Sequence, residues 1–262
     1  MIHYRNIIGE IIGTFILVFI GTSSVAVAVL FGNLNLYQIA AIWSLAVILG
    51  IYASKNLSNA HLNPAVSFGF LVKKDIKLNL FWQYVLGQFI GGFLAGLAVY
   101  FIFKNQIETY ETLHQIVRGS EPSKQTAMMF GEFYPNPGNN NLKQLSTLTA
   151  FELEAGGTFV LMMVILLLTQ TKRNLNPITP TLIGLTVGGL IILIAPYTQA
   201  GFNPARDFAP RLVSFFMGWK SIVFDLPYWG FFTVYILAPC VGAGLSTIIF
   251  AKWIKVKILK SN

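Results

Sequence analysis

Six stretches of the chain are apolar almost without interruption, at roughly 7–31, 38–54, 80–103, 148–170, 178–196 and 228–251. A helix needs about 20 apolar residues to cross ~30 Å of hydrocarbon, and each stretch meets or approaches that length. The runs do not alternate apolar with polar, as the strands of a membrane barrel would. They predict six transmembrane helices. Two further apolar segments, 64–72 and 204–217, each follow an Asn and are too short to cross. At ~1.5 Å per residue, nine helical residues cover only about 14 Å, half the hydrocarbon core. Lys73 and Lys74 close the first segment at once, so it enters and leaves on one side. The second lies between spans five and six and is re-entrant from the other side.

Composition agrees with a polytopic membrane chain. Hydrophobic residues make up 55%, charged residues 11%, and the mean hydropathy is +0.64, whereas soluble chains carry about 25% charged residues. The single cysteine, Cys240, excludes an intramolecular disulfide framework and a Cys-based zinc site. Glu10 lies inside a first apolar run too long for a cleaved signal peptide. The 262 residues carry 18 Lys and Arg against 10 Asp and Glu, a net +8. Spread so thinly, that excess points to membrane orientation rather than to nucleic acid. With the N-terminus inside, the cytoplasmic segments hold Arg5, Lys55, Lys73, Lys74, Lys77, Lys172, Arg173, Lys252, Lys255, Lys257 and Lys260, eleven of the 18. In the long connection 104–147, Glu108, Glu111, Glu121 and Glu132 balance Lys104, Arg118, Lys124 and Lys143. Both termini are therefore expected in the cytoplasm.

The chain also repeats itself. Glu10 to Phe15 in span one matches Glu154 to Phe159 in span four, and Asn63-Pro64-Ala65 matches Asn203-Pro204-Ala205. Tyr84 to Gly91 in span three matches Tyr235 to Gly242 in span six. Two halves, about 1–103 and 148–252, thus hold three spans and a half-span each, joined by an extracellular loop 104–147 into one transmembrane domain, 1–262. Because three is odd, the second half is inserted upside down, and inverted repeats place the working site near the midplane.

Irregular backbone at membrane depth is tolerated where it is buried in protein or lines a wet cavity. Asn at the cap and Pro at the first helical position are helix-start chemistry. Inversion brings the two half-helices together by their N-termini, each carrying about +0.5 of an elementary charge. Such a centre repels cations, hydronium included, while Asn63 and Asn203 can aim carboxamide donors at a passing oxygen. Arg206, a buried cation just inside the second half-helix, marks function by its cost in the membrane. Its alternative is a structural ion pair, but Asp207, its sequence neighbour, projects about 100° away on a helix.

Ser58-Asn59-Ala60-His61-Leu62-Asn63-Pro64-Ala65-Val66 and Gly201-Phe202-Asn203-Pro204-Ala205-Arg206-Asp207-Phe208 resemble the signature loops of the aquaporin, or major intrinsic protein, family. The resemblance extends over nearly the whole chain. Asp207, Arg211 and the loop segments His114 to Ser120 and Tyr134 to Pro137 resemble the glycerol-facilitator branch. It implies an all-α membrane protein of the aquaporin fold: six transmembrane helices and two re-entrant half-helices in an inverted repeat. It implies a homotetramer in the plasma membrane, with one pore per subunit conducting passively in both directions. It also implies a filter of Trp43, Ile191, Ala200 and Arg206, with Trp43 as the apolar wall; the remaining tryptophans, Trp82, Trp219, Trp229 and Trp253, read as anchors at the lipid interface.

A filter with a greasy side and a guanidinium suits glycerol, with some water, and excludes ions. Two departures widen the choice of cargo. Glycerol facilitators usually carry a second aromatic at the position of Ala200, with a small residue at that of Ile191, and their subgroup tends to have Pro where Tyr235 aligns. The filter looks more like that of plant nodulin-26-like channels, so undissociated lactic acid, urea or dihydroxyacetone are alternative solutes.

Glu10 and Glu154, at matching positions, are assigned to holding the re-entrant loops, and Glu152 to the outer interface. His61 either lines the cytoplasmic half of the pore or is a hydrogen-bonded scaffold residue. Gly87, Gly91, Gly92, Gly96, Gly184 and Gly188 give small-residue spacing for close helix contact. A proton-coupled transporter would need a titrating site at the midplane, for which only Glu10 and Glu154 qualify. An enzyme is disfavoured: His-Glu-x-x-His, Gly-x-Ser-x-Gly and phosphate loops are missing from the sequence, and the three scattered histidines predict no metal or other cofactor.

Overall fold

The computed structural model describes residues 4–170 and 177–254, for the last two of which only the backbone is described. Lys172, Arg173, Lys255, Lys257, Lys260 and the Trp253 side chain, invoked above for orientation and anchoring, lie outside this description. The described residues are helical and contain no strand. Six spans are long and apolar enough to cross a membrane: α1 (Tyr4–Phe31), α2 (Leu36–Ser54), α4 (Leu78–Leu113), α5 (Thr147–Thr169), α6 (Thr179–Thr198) and a sixth, Pro227–Lys252, whose regular part is α8 (Ala238–Ile249). Between them lie the short α3 (Pro64–Val72) and α7 (Pro204–Ser214).

Local chemistry sets most of the boundaries. Asn35 and Gln38 form a reciprocal capping box at the start of α2. Ser146 accepts from the Thr149 amide at the start of α5. Asn63 and Asn203 cap α3 and α7 in extended conformation, each followed by Pro in the first turn. Two boundaries differ from the sequence reading. α4 continues past residue 103 to Leu113, because loss of hydropathy marks where lipid ends, not where the helix does; Thr109 and Thr112 return their hydroxyls to carbonyls one turn back. α7 stops at Ser214, and the chain then opens into a wider turn, Phe215–Trp219, that breaks at Gly218 with φ +108°.

The packing repeats between halves. α1 lies along α4, and α5 along α8, each through a glycine: a Cβ on Gly91 would strike the Ile11 carbonyl, and one on Gly242 the Ala155 carbonyl, at equivalent places. Each half-helix is held mainly by the other half, α3 against α8 and α7 against α4. α2 and α6 close the contact between halves, with Gly184 and Gly188 against Ser44 and Ala40 of α2. Many large apolar side chains face outward, Leu45, Leu86, Phe101, Leu193 and Leu245 among them, as a lipid-facing perimeter requires.

Trp219 corrects one expectation. It is fully buried rather than interfacial: its indole N–H donates to Thr126 at 3.0 Å and Arg118 stacks over its ring at 4.3 Å. Buried polar groups on the loop gave the indole partners that lipid headgroups would otherwise supply. Trp82 and Trp229 are exposed, at 59% and 74%.

Candidate pore

The two half-helices meet N-terminus to N-terminus. Asn63 Oδ1 accepts from the Ala65 amide at 2.8 Å, and Asn203 Oδ1 from those of Ala205 and Arg206 at 3.0 and 3.2 Å. The amide nitrogens reach across the junction, Asn63 to the Phe202 carbonyl at 2.9 Å and Asn203 to the Leu62 carbonyl at 2.8 Å. The carboxamides were expected as free donors, but each spends one N–H on the opposing loop, whose buried carbonyl needs a partner. One N–H of each remains.

Glu10 and Glu154 are buried completely, and each accepts from the loop that precedes the half-helix of its own half. Glu10 takes the His61 and Leu62 amides at 3.0 and 2.7 Å and the Ser58 hydroxyl at 2.7 Å. Glu154 takes the Gly201 and Phe202 amides at 2.9 and 2.8 Å and the Thr198 hydroxyl at 2.6 Å. These loops carry non-glycine residues in the left-handed region, Ala60, Leu62, Ala200 and Phe202, a conformation costing of order 1–3 kcal/mol each. A carboxylate accepting several amides is a strong enough partner to hold them there.

A cavity of about 550 Å³ runs past this junction. Asn63, Asn203, His61, Trp43, Ile191, Ala200 and Arg206 all line it. Lys55, Asp75 and Gln170 line it as well, and the carbonyl of Asn56, next to Lys55, accepts from Arg5 at the start of α1. The Arg206 guanidinium lies over the Trp43 ring at 4.2 Å, and Gly21 of α1 leaves room for that ring. The end near Arg206 is thus an aromatic wall, two aliphatic side chains and a cation. His61 is both lining and scaffold: Nδ1 bonds Ser67 Oγ at 3.0 Å and the ring stacks on Phe70 at 4.6 Å.

Sequence reasoning missed the role of two polar residues in this region. Gln88 Nε2 bridges Glu10 at 2.8 Å and Ser67 at 3.0 Å. Glu132, read as a surface counter-charge, is 2% exposed and paired with Arg206. The ion-pair alternative for Arg206 had considered only Asp207, which instead binds Arg211 at 2.6 Å, one turn on. A signal for Glu132 existed in Phe130-Gly131-Glu132-Phe133-Tyr134, where a lone acid sits among aromatics.

A model of the family described as "Major intrinsic protein" matches residues 1–250. The chain belongs to the major intrinsic protein family. Its relatives include the glycerol uptake facilitator proteins of Haemophilus influenzae, 35% identical over 91% of this chain and 89% of that one, and of Pseudomonas aeruginosa, 36% identical over 95% and 90%. The aquaglyceroporin of Plasmodium falciparum has a similar structure, with TM-score 0.79 and 26% identity, covering 99% of this chain and all of that one. Family membership makes the chain a multi-pass membrane protein, and the inverted repeat with two half-helices is its architecture.

Proposed function

We propose that this family member is a passive channel for glycerol and other small neutral solutes, with some water, and that it excludes protons and ions. The observation that carries the reading is one cavity whose lining takes in both half-helix caps together with Trp43 and Arg206. Neutral oxygen-bearing solutes fit it chemically. The remaining carboxamide N–H groups and the guanidinium donate to oxygen, while Trp43, Ile191 and Ala200 accept a carbon edge. Two facing helix N-termini oppose any cation at the midplane. The names of the facilitator relatives support glycerol as the cargo. Glu10 and Glu154 serve as loop anchors, since hydrogen-bond donors already occupy their oxygens.

In this reading the whole chain is one channel domain in the plasma membrane, both termini are cytoplasmic, and Arg206 faces outward. Four such subunits assemble, each with its own pore, without enzymatic activity or cofactor. Ala200 in the same lining as Trp43 favours one extension: a filter with a single aromatic has a broader cross-section, which admits undissociated lactic acid, urea or dihydroxyacetone.

Purified protein in liposomes is expected to speed glycerol entry with linear concentration dependence and no proton current. Saturation at low solute, or uptake requiring a pH or sodium gradient, would replace the channel with a transporter. Lactic acid entry at pH 4 and pH 7 tests the extension: uptake confined to acid pH supports it, and equal uptake removes it.

A further inference from the structure

Glu132 stands where the long connection between the halves is tied into the protein. Its amide donates to Asp207 Oδ1 at 2.8 Å, and its carbonyl accepts from Arg211 Nη2. The next amide, of Phe133, donates to Gln199 Oε1 at 2.8 Å, and Gln199 Nε2 returns to the Met128 carbonyl at 3.1 Å. Gly131 lies so close to the Arg211 guanidinium that a Cβ would come within 2.9 Å of it. This segment is fixed by two buried side chains of α7 and by the residue next to Ala200. The anchoring delivers one carboxylate, which pairs through Oε1 with Nη1 of Arg206. Its other oxygen, Oε2, is buried with no hydrogen-bond partner. Arg206 faces the cavity, and its remaining side is the Trp43 ring.

A guanidinium alone at a narrow, partly dry constriction would be an anion trap: it would hold nitrate, carboxylates or halides against neutral traffic. An adjacent carboxylate cancels that charge yet leaves directional N–H donors for a hydroxyl. We infer that Glu132 is a specificity-determining residue of this pore: paired with Arg206, it makes the constriction net neutral, so that hydroxylated solutes pass without competition from small anions. The inference rests on the channel reading above and adds to it a residue outside the cavity wall.

The test is glycerol uptake by full-length protein in liposomes, measured in sodium nitrate and in sodium gluconate, whose anion is too large to enter. Wild type is expected to show equal rates in the two salts. Glu132→Gln, which keeps the shape and removes the charge, is expected to be slower in nitrate by roughly fivefold, the order for one uncompensated charge at a narrow site. Glu132→Asp, which draws the charge back by a methylene, should fall between. A loosened loop would slow uptake equally in both salts, so salt-independent rates in Glu132→Gln overturn the inference. Should that variant not assemble, Glu132→Asp reads the same ratio, and no nitrate effect there overturns it. Wild-type vesicles no more permeable to glycerol than empty ones would sink the channel reading itself, and this inference with it.

Discussion

The two halves solve one problem alike and another differently. Both hang a strained loop on a buried glutamate through two amides and a hydroxyl. Beyond that cage the equivalent positions diverge. Ser67 of α3 corresponds to Asp207 of α7, Leu71 to Arg211, His61 to Gly201 and Gln88 to Pro239. The first half surrounds its half-helix with neutral hydrogen-bonding groups, the chain His61–Ser67–Gln88, which ends on the anchor Glu10. The second uses charge: Arg211, without exposed surface, binds Asp207 and the carbonyls of Glu132 and Val223. The shared part is what the fold needs. The divergent part is what each mouth needs, a self-contained scaffold at one and a clamp on a long loop at the other.

The comparison is broken most severely by giving α7 the residue of α3. Arg211→Leu leaves Asp207 buried without its partner, a loss expected to cost about 3–5 kcal/mol, read as a collapse in thermal stability and membrane yield. The double variant Asp207→Ser with Arg211→Leu removes both charges and should recover part of that loss, because paired buried charges couple strongly. If the double variant is no better than the single, the ion pair is not what Arg211 contributes. The two cages offer a milder contrast. Glu10 has one donor more than Glu154, from Gln88, so Glu10→Ala is expected to destabilise more than Glu154→Ala by about 1 kcal/mol, measured by thermal unfolding in detergent. Equal losses would mean that Gln88 adds nothing.

The sequence was most legible where chemistry punctuates it. α3 begins at Pro64 after a capping Asn and ends at Val72 before two lysines, and both limits follow from residue type alone. The repeat was legible for the same reason, since caps, anchor glutamates and contact glycines recur in order. The end of α4 was not, because Lys104 to Leu113 is polar yet still helical. Glu132 was not either: its burial comes from Asp207, Arg211 and Gln199, which reach it only after the chain has folded back. Trp219 erred through the same gap, its partners Thr126 and Arg118 lying far off in sequence. Hydropathy reports what meets lipid; it is silent on which polar groups meet each other.

The two ends of the pore should also differ in what they select. Trp43→Ala removes the aromatic wall beside Arg206 and should admit polyols larger than glycerol, raising their rate severalfold relative to glycerol. Removal of a buried aromatic wall opens space that is only partly refilled. Unchanged size selectivity in a swelling assay would take Trp43 out of the constriction. His61→Ala, at the other side of the junction, is expected to leave the size limit in place, since Phe70 and Tyr84, which hold the ring, still form a wall behind it.

The smallest effect expected is the most discriminating about the neutral scaffold. Gln88 is buried, bridges Glu10 and Ser67 through one nitrogen, and has an Oε1 without a partner. Gln88→Leu deletes two hydrogen bonds but also a buried acceptor that nothing satisfies, and these act in opposite directions. The net change should stay within about 1 kcal/mol, with glycerol conductance and its solute ranking unaltered. Gln88→Glu keeps the shape and sets a second carboxyl against Glu10, and should destabilise clearly, because like carboxylates cannot both ionise in a dry site. A Gln88→Leu variant that stays stable but conducts poorly would show that the chain to His61 shapes the pore as well as bracing it, and the division between a bracing end and a selecting end of the pore would have to be redrawn.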